Sequence, residues 1–102
     1  MGCYKLQYLP AFYEDLDRAT SYIAEKLHNP QAAIDLMDDI ENAIQKRLPN
    51  AESFEQYHSK KERRYPYYRI YVKNYVVYYV VIGNIMEVRR LLHELQDSER
   101  LV

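Results

Sequence analysis

Three arginines stand where apolar side chains are expected. Arg69 lies within YYRIYV, and Arg89 and Arg90 lie within MEVRRLLH; both segments are otherwise rich in the Tyr, Val, Ile and Leu that suit a pleated surface. A buried guanidinium without a partner costs several kcal/mol, so one face of the sheet built from these segments is expected to stay open to something anionic. A cationic run, Lys60, Lys61, Arg63 and Arg64, precedes them in a stretch without sustained period. It reads either as a solvated charge run or as a loop that contacts phosphate. With Arg69, Arg90 and the nearby His93 it would suit a phosphate backbone.

The elements that must position these side chains are legible from spacing. Residues 65–93 divide at Lys73-Asn74 and at Gly83-Asn84, which predicts three strands joined by two tight hairpins. Strand alternation puts Tyr67, Arg69 and Tyr71 on one face and Tyr68, Ile70 and Val72 on the other. On a regular strand Glu87, Arg89, Leu91 and His93 share a face opposite Val88 and Arg90, and a bulge would reverse this. Upstream, Tyr4 to Leu9 reads as a short strand that stops at Pro10. Phe12, Leu16, Ala19, Ile23 and Leu27 then recur at helical spacing, giving an amphipathic helix from Ala11 to about His28-Asn29. Asn29-Pro30 caps a second helix with the stripe Ala33, Leu36, Met37, Ile40, Ala43, Ile44 and Leu48, stopped by Pro49-Asn50. Two helices with almost no linker form an antiparallel hairpin that needs a sheet to bury its stripes. Residues 51–64 read as a connecting segment, and residues 94–102 as a frayed turn or a tail docked on the sheet edge. The expected fold is α+β: an N-terminal strand and a helical hairpin on one face of a small, mostly antiparallel four-stranded sheet.

Composition sets the outer limits. At 102 residues the chain has room for one domain, 1–102, and 48% hydrophobic with 28% charged residues is an ordinary globular balance. Two glycines argue against a Gly-rich phosphate loop, and the single Cys3 against a disulfide framework or a multi-cysteine zinc site. His58 and Cys3 have no further ligand at a recognisable spacing, so no metal and no cofactor are expected. Lack of a long apolar run and of a signal-peptide pattern points to a cytoplasmic protein with no membrane partner. The net charge of -1 hides an asymmetry: residues 1–56 hold five Lys/Arg against ten Asp/Glu, whereas residues 57–102 hold nine against five. The basic half is the sheet half, which favours a polyanionic or acidic partner. Eight of the twelve tyrosines fall between Tyr57 and Tyr79, so the face left bare by the helices would present aromatics and arginines, residue types enriched at interface hot spots.

The order of elements, the Asn-Pro-x-Ala-Ala opening of the second helix, the central YRIYVKNYVVYYVV and the terminal VRRLLHELQD together resemble the RelE/ParE superfamily of toxins from bacterial type II toxin-antitoxin systems. The resemblance runs from Tyr4 to about Leu101. It implies a toxin held inactive by a cognate antitoxin, with Tyr67 and Tyr71 on the partner-binding face. RelE-like members cut messenger RNA, generally on the ribosome, and ParE-like members poison DNA gyrase without cutting. Metal-free RNA cleavage needs a base, cations at the phosphate and an acid. The candidates here are His93, Arg69, Arg90 or Arg89, and Glu87, with Tyr71 or Glu62 as further proton-transfer groups. The chain departs from the RelE pattern where Val76 follows Tyr75, where Glu94-Leu95-Gln96-Asp97 replaces a basic segment, and in having no Tyr after Tyr79. The reading favoured by these residues is a messenger RNA endoribonuclease. The alternatives are a ParE-like gyrase inhibitor, and an inactive interaction module that retains the fold.

Overall fold

A computed structural model describes residues 4–57, 64–96 and 98–102. The strand β1 (Lys5–Tyr8) is followed by helix α1 (Pro10–Ser21), which continues into a single π-helical turn, Tyr22–Lys26. Helix α2 (Pro30–Arg47) comes next, then strands β2 (Gln56–Tyr57), β3 (Tyr67–Val72), β4 (Tyr75–Ile82) and β5 (Ile85–His93), and a last helical turn α3 (Ser98–Leu101). The sheet has five strands in the order β1-β5-β4-β3-β2, antiparallel except for the parallel β1–β5 pair.

Local chemistry accounts for the boundaries. Pro10 and Pro30 occupy first-turn helix positions, where a missing N–H leaves nothing unsatisfied, and the Asn29 side chain accepts the Ala32 N–H at 3.1 Å. His28 ends the first helix in the left-handed region, at φ 52°. Both hairpins turn on a left-handed first loop residue, Lys73 at φ 54° and Gly83 at φ 62°. Glycine takes that conformation without strain, whereas Lys73 carries a Cβ.

The helices lie on one face. Phe12, Leu36, Ile40 and Ile44 pack there against Tyr68, Ile70, Val72, Val77, Tyr79, Met86, Val88 and Leu91, with Tyr68, Ile70 and Val72 sharing a face as strand alternation predicts. Tyr79 anchors the loop after α2: its hydroxyl donates to the Ala51 carbonyl at 2.7 Å and accepts from Arg47 at 3.0 Å. Arg47 also donates to the Arg69 carbonyl at 3.2 Å and lies 3.5 Å from the centroid of the Phe54 ring.

Two expectations change. The sheet has a fifth strand, because Gln56 and Tyr57 pair with Tyr68 and Tyr67 within a segment read as connection. Two residues are too few to show a period. Secondly, the tail lies across the far face of the sheet and not along its edge. Leu101 and Val102 pack there on a second apolar cluster of Tyr67, Val76, Tyr78, Val80 and Leu92, and the Ser98 and Tyr57 hydroxyls are 3.0 Å apart.

Burial pushes the Tyr79 phenol above its ordinary pKa, opposed by Arg47, and burial likewise raises Tyr8 and Tyr75. A phenol whose folded pKa is raised stabilises the fold fully below the unfolded value of about 10, and that contribution is lost as pH rises through the folded value. The denaturant midpoint should therefore hold up to about pH 10 and fall as pH rises beyond it. An unchanged midpoint beyond that pH would contradict the burial of these phenols.

Candidate functional site

The β4–β5 register decides where the arginines go. Tyr79 pairs with Val88 and Tyr78 with Arg90, leaving Arg89 as the extra residue of a β-bulge. The bulge resets the alternation, so Met86, Val88 and Leu91 all reach the helix-side core while Leu92 joins the far-side cluster. Arg69 and Arg90 flank Tyr78 in one row across the far face. Glu87 lies on that face too, one row away. His93 does not: it pairs with Tyr75, which packs on the helix side, and its ring meets Tyr75 edge-on at 5.3 Å. The expected set Arg69, Arg90, Glu87 and His93 is thus divided between the two faces of the sheet.

The β5 cations are also engaged by their own chain. The β1–β5 pairing stops at Tyr8 and Val88, so beyond Val88 this edge of β5 faces the start of α1. There the carboxylate of Asp15, with a side chain only 3% exposed, accepts Arg90 Nε at 2.7 Å, Arg90 Nη2 at 3.0 Å and the Leu91 N–H at 3.0 Å. Arg18 adds a longer contact at 3.3 Å. Arg90 Nη1 donates to the Leu101 carbonyl at 2.7 Å, tying down the tail. The hydrogen bond to Asp15, against an opposing desolvation, raises the Arg90 pKa and keeps the guanidinium charged. Arg89 Nε donates to Glu87 at 2.8 Å and Arg89 Nη1 to the Tyr67 hydroxyl at 3.4 Å. Burial lowers the Arg89 pKa, and these partners outweigh it to leave a net rise. The other Glu87 oxygen accepts from Gln7 at 2.8 Å.

Arg69 differs. It is half-buried, with its guanidinium carbon 4.5 Å from the Tyr57 ring centroid and 5.6 Å from that of Tyr71, and among the described residues no carboxylate reaches it. Tyr71 is 65% exposed, whereas Tyr67 is buried edge-on against Tyr78. Of the two tyrosines expected to meet a partner, Tyr71 is thus the accessible one. Arg64 is exposed beside the Tyr65 ring, and Lys60, Lys61 and Arg63 lie outside the described residues, as do Cys3, His58 and Glu62. His93 Nδ1 accepts the Leu95 N–H at 3.2 Å, which leaves only its other nitrogen for further bonding. Among the described residues no three His, Cys, Asp or Glu gather as a metal site, and no helix is long and apolar enough to cross a membrane. Sequence spacing missed Asp15 and Arg47; a lone acid on a helix facing a double arginine on a distant strand leaves no local pattern.

The family model described as "ParE toxin of type II toxin-antitoxin system, parDE" matches residues 6–98. The chain belongs to the ParE toxin family. Among solved structures, the chromosomal ParDE toxin-antitoxin system of P. aeruginosa includes a chain that is similar at TM-score 0.73 and 15% identity, covering 89% of this chain and 96% of that one. The RelB-RelE antitoxin-toxin complex of Methanococcus jannaschii gives TM-score 0.50 at 22% identity, covering 86% of this chain and 89% of that one. At such identities the likeness is one of fold, and it bears out the helical hairpin on a mixed sheet expected for the RelE/ParE superfamily. No curated protein matches.

In this ParE-family chain Asp15 carries the β5 edge. Asp15→Ala leaves the Leu91 N–H and a partly buried guanidinium without their acceptor and should cost about 2–4 kcal/mol in denaturant unfolding. Asp15→Asn, which keeps an acceptor oxygen, should cost less. Equal losses for the two variants would show that the N–H acceptor role is not what stabilises this edge.

Proposed function

We propose that this ParE-family toxin arrests growth by docking on a protein target, in the manner of ParE-like gyrase inhibition, and does not cut messenger RNA. The carrying observation is the division of the acid, base and cation set. Phosphoryl transfer needs cations and a proton acceptor converging within hydrogen-bond reach of one phosphate. Here His93 stands on the helix side, Arg69 and Arg90 on the far side, and Arg89 and Arg90 already hold carboxylates. Docking asks for less: a shaped surface with aromatic and arginine anchors, which Arg69, Tyr57 and Tyr71 supply. An antitoxin would neutralise such a toxin by covering that surface. The likeness to chains from ParDE and RelB-RelE assemblies supports a partner of this kind.

Induction of the chain alone, scored for DNA breaks against transcript cleavage, tests this reading. The expected result is growth arrest with double-strand breaks and intact transcripts, retained when His93→Ala or Glu87→Gln is introduced. Transcripts cut on the ribosome, with cutting abolished by His93→Ala, would refute it.

A further inference from the structure

We propose that Arg69, flanked by the rings of Tyr57 and Tyr71, receives a carboxylate side chain of the antitoxin. The proposal rests on the reading that an antitoxin covers the far face of the sheet. Of the three sheet arginines, Arg89 and Arg90 have in-chain carboxylates at 2.8 and 2.7 Å, and Arg69 has none among the described residues. Ring contacts restrain its guanidinium without using its N–H donors, so a planar fork for a bidentate carboxylate is held in place. The backbone beneath is also fixed: β3 lies between β2 and β4, and the Arg69 carbonyl accepts from Arg47. Little ordering remains to oppose binding.

The surroundings favour an acidic protein segment. Tyr71 offers an exposed ring for an apolar side chain next to the acid, Arg64 adds an exposed cation upstream, and the acidic half of the sequence supplies no described carboxylate here. A nucleic-acid strand fits less well. Phosphates recur along a backbone and call for a row of available cations, yet the next arginine in this row, Arg90, is bound to Asp15. Among the described residues, Arg69 is the fork this row offers without an in-chain carboxylate, which matches one carboxylate.

The test measures binding of the purified chain to a candidate antitoxin, the product of whichever small reading frame adjoins its own gene, with Arg69→Gln and Arg69→Lys as variants and unfolding midpoints as the check on folding. Arg69→Gln should weaken binding by roughly tenfold or more, the scale of an interface hot spot, and Arg69→Lys by less, since charge survives without the fork. If Arg69→Gln fails to fold, a folded Arg69→Lys must still bind measurably more weakly than wild type. Affinity for Arg69→Gln within about twofold of wild type would overturn the proposal, well below the threshold of a hot spot. So would a variant that loses binding to a single-stranded oligoribonucleotide while keeping the neighbouring protein. A wild-type chain that neither arrests growth nor binds that protein would instead refute the toxin-antitoxin reading itself.

Discussion

The carboxylate of Asp15 is the contact on which the arrangement of this protein turns. β1 is only four residues long, so the second half of β5 has no strand neighbour on that side. A strand edge facing a helix leaves backbone N–H groups that water cannot easily reach, and such groups must be satisfied locally. Asp15 satisfies the Leu91 N–H and at the same time neutralises Arg90, the first paired residue after the bulge. Arg90 in turn holds the Leu101 carbonyl, so one buried acid links α1, the bulged strand and the tail.

That linkage assigns the cations. A charged side chain in a sheet either faces a ligand or finds a partner, and the geometry separates the two cases. Arg89 and Arg90 have partners in their own chain, which makes them part of the frame. Arg69, two strands away in the same row, has rings beside it and, among the described residues, no carboxylate. The far face is therefore neither wholly open nor wholly covered: α3 and the tail pack over the apolar cluster that includes Tyr67 and Tyr78, while Tyr71 remains in solvent.

Much of the fold was legible because its determinants are local. Proline and asparagine at the helix starts, two-residue hairpin loops and the alternation of Tyr68, Ile70 and Val72 each declare themselves within a few residues. The candidate site was only half legible. The arginines were conspicuous, but their roles depend on a one-residue bulge between Tyr78 and Tyr79 of the partner strand's register and on Asp15, some 75 positions away from Arg90. A regular alternation would have placed Arg89 with Glu87 and His93 on one face. The bulge moves Arg90 to the far face and sends His93 to the other. Likewise β2 is two residues long, below the length at which any period is visible.

A double-mutant cycle between Asp15 and Arg90, read by denaturant unfolding of Asp15→Ala, Arg90→Ala and the pair, tests the assignment of Arg90 to the frame. Coupling of about 1.5 kcal/mol or more is predicted for groups sharing one network. Additivity to within about 0.3–0.5 kcal/mol would mean that Arg90 is not held by Asp15, and would return it to the set of cations free to serve a ligand.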